Sequence, residues 1–132
     1  MRVALLLTAL IALVGSGSSA GAAARTELKI SYWPQGRAAG NVQTWTLRCA
    51  PAGGTLPRPG IACQKLAGMK SPFAPIPRDA MCTEQYGGPQ LAMVSGVFRG
   101  KRFSTQLQRR NGCEIARFKR LVFLVPTFNA NA

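Results

Sequence analysis

Four stretches of the chain have the residue pattern of β-strands. Apolar and polar residues alternate from Leu28 to Tyr32, and Val42 to Cys49 is rich in Thr, Val and Trp. Gln90 to Phe98 and Lys101 to Arg109 are also compatible with strands, and only Arg99-Gly100 separates them. A two-residue connection with glycine in its second place predicts a tight hairpin.

A fifth stretch, Leu121 to Val125, is apolar throughout, and we interpret it as a central strand buried on both faces. Short helices are predicted at Ile61 to Leu66 and at Cys113 to Lys119. Three prolines between Gly68 and Asp79 exclude regular structure there. Five strands and two short helices predict an α+β domain in which an antiparallel sheet is covered on one side.

The start of the chain has the features of a secretory signal peptide. Met1-Arg2 precedes an apolar run from Val3 to Val14, and small residues continue to Ala24. The run is too short for a membrane span, which needs about 20 residues, and the small residues offer a cleavage site. We expect residues 1–24 to be removed, although cleavage after Ala20 would also fit. Residues 25–132 would then form one secreted, extracellular domain without a membrane span.

Secretion makes disulfides the default state of the four cysteines, Cys49, Cys63, Cys82 and Cys113. Four cysteines allow three connectivities. We favour Cys49 with Cys63 and Cys82 with Cys113, because the first predicted helix carries Cys63 back toward the end of the second strand. A zinc site is disfavoured, since no two cysteines are close in sequence and the chain has no histidine. We therefore expect neither a metal nor another cofactor.

The chain is strongly basic. Residues 25–132 carry 16 of the 17 Lys and Arg residues and all four Asp and Glu residues, so their net charge is +12. Small basic clusters occur at Arg99-Lys101-Arg102, Arg109-Arg110 and Arg117-Lys119-Arg120. No aromatic residues are interleaved with them in the manner of a base-stacking platform. This surface predicts weak, salt-sensitive attachment to polyanions, with no specific nucleic acid as a partner.

The residues that catalysis usually needs are nearly absent. The chain has no histidine, no free cysteine is expected, and its four carboxylates are spread widely in sequence. It also lacks a P-loop and a dinucleotide-binding glycine motif. A secreted enzyme is therefore poorly supported, and a binding function is favoured.

Met81 to Pro89 is a candidate binding loop. Cys82 stands two residues before Glu84, and Gly87-Gly88-Pro89 excludes a good helix or a deep strand. A disulfide on one side and a glycine-proline turn on the other would hold the loop extended and exposed, which is the shape that a protease binds. From composition alone, a surface connection pinned by a disulfide is the favoured interpretation.

Several short motifs favour a binding loop over a simple surface connection. They are Thr46-Leu47-Arg48-Cys49-Ala50-Pro51, Gly54-Thr55-Leu56-Pro57, Ala62-Cys63, Met81-Cys82-Thr83, Tyr86 with Pro89 after it, Gly96 to Arg102, and Asn111-Gly112-Cys113. They occur in the order seen in the Streptomyces subtilisin inhibitor family, which the chain resembles from about Leu28 to Val125. The four cysteines with these flanking residues are the most specific part of the resemblance.

The resemblance implies a single two-layer α/β sandwich with a five-stranded antiparallel sheet and the cysteine pairing favoured above. It also implies a homodimer formed through the sheet, and inhibition of secreted serine proteases. In this family the scissile bond follows the second residue after the third cysteine, which here is the bond from Glu84 to Gln85. The family usually has Lys, Arg or Met at the position of Glu84. Because a primary pocket that contains an acid would repel the Glu84 carboxylate, we expect a glutamate-preferring or broadly tolerant subtilisin-like target.

The resemblance also implies roles for the neighbouring residues. Cys82 and Thr83 would occupy the acyl-side subsites of the protease, and Tyr86 and Gly87 would lie on the leaving-group side. Asn111 is expected to brace the loop by hydrogen bonding. The alternative hypothesis is a basic exported binding module that keeps this fold but has lost inhibition.

Overall fold

The computed structural model describes residues 25–129, so the predicted signal peptide lies outside the described residues. In chain order the elements are β1 (Thr26–Trp33), β2 (Gln43–Cys49), α1 (Pro59–Ala67), β3 (Leu91–Phe98), β4 (Lys101–Leu107) and α2 (Gly112–Arg120), with short 3₁₀ turns at Arg37–Ala39 and Val122–Leu124. No helix within residues 25–129 combines the length and the apolar character needed to cross a membrane.

The four strands form one antiparallel sheet in the order β2-β1-β3-β4. Alternate residues of β1, namely Leu28, Ile30 and Tyr32, are buried on one face of the sheet. They pack in a single core with residues of both helices, including Leu66 of α1 and Phe118 of α2. The molecule is therefore an α+β domain in which one sheet face is covered.

The hairpin between β3 and β4 is present where the sequence predicts it. Phe98 pairs with Lys101, which leaves Arg99 and Gly100 as the two turn residues. Their φ angles are 48° and 81°. Both lie in the left-handed region, as a type I′ turn requires, and glycine adopts that region without strain.

The prediction of a fifth strand at Leu121–Val125 is wrong, and so is the five-stranded sheet. Within residues 25–129 the sheet has four strands, and this segment forms a 3₁₀ turn directly after α2. Its N–H groups bond locally, from Leu121 to the carbonyl of Phe118 and from Leu124 to the carbonyl of Leu121. Leu121, Leu124 and Val125 are buried in the core. An apolar run of this length fits a buried turn as well as a buried strand, so its pattern alone could not separate them.

A buried arginine joins α2 to the rest of the domain. Arg117 is 7% exposed. Its guanidinium donates to the carbonyls of Gln106 (2.6 Å), Ala74 (3.1 Å) and Phe73 (3.2 Å) and to Thr105 Oγ1 (2.5 Å). Burial lowers the pKa of Arg117, and the carboxylate of Glu114 opposes that shift. These hydrogen bonds satisfy the buried charge and fix α2 against β4.

The other face of the sheet is partly apolar. Trp33, Leu91, Met93 and Val97 lie on it, are half-buried, and do not belong to the core cluster. Trp33 pairs with Leu91 across β1 and β3, so these side chains are neighbours. This surface is the outer face of the sheet.

Candidate functional site

The loop before β3 presents a row of exposed side chains. Met81 is fully exposed, Tyr86 is 67% exposed, and Thr83, Glu84 and Gln85 are exposed between them. This segment has no regular secondary structure. The loop at residues 80–89 is therefore available to a partner, as its sequence predicts.

Two backbone hydrogen bonds hold the loop to Arg109 and to Gly112, the first residue of α2. The N–H of Gly112 donates to the carbonyl of Thr83 at 3.0 Å, and the N–H of Gly87 donates to the carbonyl of Arg109 at 2.6 Å. Only residues 84–86 lie between these anchors. The Glu84-Gln85 bond is thus at the centre of a short, exposed segment fixed on both sides.

A disulfide adds a covalent anchor. Cys82 is joined to Cys113 in the first turn of α2, with their Cα atoms 5.3 Å apart. The second disulfide joins Cys49, at the end of β2, to Cys63 of α1, with a Cα separation of 5.7 Å. The nearest-neighbour pairing is therefore the one found in the structure. Only Cys82–Cys113 is in contact with the loop.

Glycines allow the loop to pack closely on the domain. A Cβ atom at Gly112 would collide with Thr83 Oγ1. A Cβ atom at Gly87 would lie 2.8 Å from the side chain of Ile115 and 3.1 Å from the carbonyl of Arg109. Gly87 is therefore a fixed point of the loop. Gly87 belongs to the stretch Met81 to Pro89 and Gly112 to the motif Asn111-Gly112-Cys113, but sequence alone does not reveal these contacts.

Asn111 caps the helix to which the loop is anchored. Its side-chain oxygen accepts from the N–H of Glu114 at 2.9 Å, so Asn111 is the N-cap of α2. The hydrogen bond to the loop comes from the adjacent backbone N–H of Gly112. Asn111 thus fixes the start of the helix from which Gly112 and Cys113 hold the loop.

The side of the loop next to Tyr86 is basic. A cleft of about 220 Å³ beside Tyr86 is lined partly by Arg37, Arg109 and Arg110. Arg109 is engaged within the domain, since it donates to Gln90 Oε1 at 3.1 Å and lies over the ring of Phe128. Glu84 is the only carboxylate at residues 80–89. The site therefore combines an acidic side chain at its centre with positive charge at one side.

Fold and site together define a small disulfide-braced α+β domain that presents an exposed loop held on both sides by backbone hydrogen bonds. The model of the subtilisin inhibitor-like family matches residues 22–111. The chain belongs to the subtilisin inhibitor-like family.

Individual relatives agree with this assignment. The chain is 36% identical over 109 residues to Subtilisin inhibitor-like protein 3 of Streptomyces coelicolor, covering 80% of this chain and 86% of that protein. It is 41% identical over 71 residues to Subtilisin inhibitor-like protein 7 of Streptomyces ambofaciens and 33% identical over 88 residues to Trypsin inhibitor STI2 of Streptomyces longisporus. Those matches cover 52% and 65% of this chain. They span 64% and 61% of the two relatives, which is less than two thirds of either.

Comparison with solved structures finds a similar chain in that of Streptomyces caespitosus sermetstatin in complex with Bacillus licheniformis subtilisin. It is 23% identical, with a TM-score of 0.49, and covers 79% of this chain and 99% of that chain. The likeness is too weak to add to the assignment, which depends on the sequence matches.

Proposed function

We propose that this chain is a secreted inhibitor of serine proteases, without enzymatic activity of its own. Its loop would enter the protease active site like a substrate, with Glu84-Gln85 as the reactive bond. The observation that carries this proposal is the pair of backbone hydrogen bonds, at Thr83 and Gly87, that enclose residues 84–86. Family membership supports the same function.

Preorganisation would convert loop contacts into affinity. A flexible peptide loses about 0.5–1.5 kcal/mol for each side chain that becomes immobilised on binding, together with backbone freedom. Here the disulfide and the anchors at Thr83 and Gly87 have already restricted the backbone on both sides of the reactive bond. Less ordering therefore remains to oppose docking.

The same anchors would keep the protease from completing hydrolysis. If the protease serine attacks the Glu84 carbonyl and the Glu84-Gln85 bond breaks, an acyl-enzyme forms, and the new amine of Gln85 remains attached to the domain through Gly87 and its bond to Arg109. A group held beside an acyl-enzyme reacts at high effective concentration. Re-formation of the peptide bond then competes with attack by water.

Glu84 would decide which proteases are bound. A primary pocket that contains an acid, as in trypsin-like enzymes, would repel and desolvate its carboxylate, whereas a pocket with basic or hydroxyl donors would stabilise it. We therefore favour a glutamate-preferring or broadly tolerant subtilisin-like protease as the target. In this proposal Cys82 and Thr83 occupy the protease subsites on the acyl side of the reactive bond, and Tyr86 occupies a subsite on its leaving-group side.

We further propose that two chains associate through the outer face of the sheet. The half-buried apolar side chains Trp33, Leu91, Met93 and Val97 support this, because they leave apolar area on a surface that the helices do not cover. Residues 1–24 would direct export, and residues 25–132 would form the mature inhibitor.

The substitution Glu84→Lys tests the assignment of the reactive bond. We expect it to weaken inhibition of glutamate-accepting proteases and to create inhibition of a trypsin-like protease, because the charge at the primary pocket is reversed. Inhibition constants against both protease classes measure the change. Glu27→Lys is the matched control, since it makes the same charge change at a β1 residue far from the loop. Equal effects of both substitutions, or none, would remove Glu84 from the primary site.

A further inference from the structure

A second groove, of about 460 Å³, lies at the opposite end of the sheet from the loop. Its walls are residues 70–74 and residues 98–103 around the β3–β4 turn, and we name it the hairpin groove. The loop is at the other end, because Pro89 precedes β3 and Arg109, which holds Gly87, follows β4. The eight residues of β3 separate the two sites by about 24 Å. A ligand in the hairpin groove would leave the loop free.

Three aromatic rings form an apolar floor in this groove. Phe73 stacks on Phe103, with ring centroids 4.4 Å apart and planes inclined by 16°. It meets Phe98 edge to face at 5.2 Å. Phe73 is 25 or more residues from the other two rings in sequence, so the folded chain brings it against them. Since they pack on one another, they form a continuous apolar surface and not a series of separate platforms for bases.

Arg99 fixes one wall of the groove. Its guanidinium donates to the carbonyls of Met69 (2.8 Å), Lys70 (2.9 Å), Leu66 (3.1 Å) and Ala67 (3.4 Å) and lies over the ring of Phe98. Leu66 and Ala67 are at the C-terminal end of α1, where unpaired carbonyls carry partial negative charge. Arg99 therefore neutralises the negative helix end nearest the groove.

The remaining cations of the groove are free to bind a ligand. Lys70, Lys101 and Arg102 are exposed. Within residues 25–129 the two salt bridges join Arg25 to Glu27 and Arg110 to Glu114, so none of the three takes part in one. No carboxylate lines the groove. Glu27 lines a neighbouring cleft together with Arg102, but its carboxylate is paired with Arg25 at 2.6 Å.

We propose that the hairpin groove binds an anionic polysaccharide that carries repeated sulfate or phosphate esters. Such a chain alternates charged ester groups with apolar sugar C–H faces. The esters would meet Lys70, Lys101 and Arg102, and the sugar faces would lie on the phenylalanine floor. A single-stranded nucleic acid fits less well, because the rings that would stack its bases already stack on each other.

Binding of dextran sulfate and dextran phosphate to the mature chain, measured by titration calorimetry, tests this inference. With about three ionic contacts, affinity should fall roughly 20- to 40-fold between 50 and 200 mM salt, by the counterion-release relation for polyanions. Neutral dextran should not bind. The charged dextran that binds more tightly identifies the preferred ester. These readouts require no protease, so they do not depend on the proposed inhibition.

Two triple variants show whether the groove is the site. Lys70→Ala/Lys101→Ala/Arg102→Ala should lose most of the salt dependence and at least about tenfold in affinity at low salt. The control Lys29→Ala/Arg78→Ala/Lys119→Ala removes three exposed cations outside the groove and should change affinity less than about threefold. Unchanged circular dichroism would show that both variants are folded.

Three results would overturn the inference. Equal losses in both variants would mean that binding is a diffuse effect of net charge. An affinity for neutral dextran comparable to that for the charged dextrans would show that the cations do not determine binding. Tighter, base-dependent binding of single-stranded DNA of equal charge would assign the groove to nucleic acid.

Discussion

At Gly87 and Gly112 the loop and the rest of the domain lie in close contact. Both anchor bonds of the loop are donated by their N–H groups, and neither position has room for a Cβ atom. Their importance comes from close packing and not from backbone freedom. Residues 84–86, which lie between the two anchor hydrogen bonds, can therefore vary in side chain without loss of those bonds.

Gly112→Ala is predicted to weaken inhibition about tenfold, equivalent to about 1.4 kcal/mol of binding free energy. The new methyl group would collide with Thr83 Oγ1 and displace the carbonyl that Gly112 holds. The inhibition constant and the rate of cleavage at Glu84-Gln85 measure this effect, and cleavage should become faster.

Gly60→Ala is the control for that substitution. Gly60 lies in α1, where a Cβ atom would meet nothing within 4 Å. Alanine there should stabilise the helix by up to about 1 kcal/mol and leave inhibition unchanged. A Gly112→Ala variant that inhibits as well as the Gly60→Ala variant would contradict the close-packing account of the loop.

At the scale of elements, the two disulfides should differ in function although both stabilise the fold. The chain-entropy model gives about 4 kcal/mol for Cys82–Cys113, with a separation of 31 residues, and about 3 kcal/mol for Cys49–Cys63, with a separation of 14. Replacement of either pair by alanine should lower the free energy of unfolding in urea by roughly these amounts.

Only loss of Cys82–Cys113 should turn the inhibitor into a substrate, because it is the one of the two disulfides that joins the loop to α2. Time courses of cleavage by the target protease, at a temperature where both double variants are folded, separate the two effects. The account fails if the variant without Cys49–Cys63 is cleaved at Glu84-Gln85 as fast as the variant without Cys82–Cys113.

Local signals made most elements predictable. Alternation marked β1, and Arg99-Gly100 marked the hairpin, because strand period and turn geometry depend on neighbouring residues. The prediction of a strand at Leu121–Val125 was wrong because a short, continuous apolar run is compatible both with a buried strand and with a buried turn. The loop anchors were not predictable from composition, since the carbonyl of Arg109 and the N–H of Gly112 are backbone groups without a side-chain signature.

Tertiary structure also changes the interpretation of the basic residues. In sequence, the basic clusters lack the repeated aromatic residues of a base-stacking platform, and Phe118 is the one aromatic residue within them. In the fold, Phe73 from the proline-rich segment lies against Phe98 and Phe103, beside Lys101 and Arg102. This contact joins segments about 25 residues or more apart, so no local pattern could indicate it.

At the scale of the whole molecule, the outer sheet face predicts a dimer. Met93→Glu places a carboxylate at the middle of that face, between Ser31 and Gln106 in the register. Because an unpaired charge buried in the dimer interface is costly, this substitution should shift the equilibrium between dimer and monomer toward the monomer. Sedimentation equilibrium measures the shift. Gln64→Glu, an exposed change on α1, is the control and should remain dimeric. A natural chain that is monomeric at tens of micromolar would contradict this assembly.

Titration of residues 25–132 against a glutamate-preferring serine protease and a broadly tolerant subtilisin-like protease tests the central proposal most directly. Residual protease activity is measured together with the mass of the recovered chain. We predict loss of activity of at least one protease at one chain per active site, with the Glu84-Gln85 bond largely intact after prolonged incubation. Rapid, complete cleavage at Glu84-Gln85 while both proteases remain active in the presence of excess chain would contradict the account.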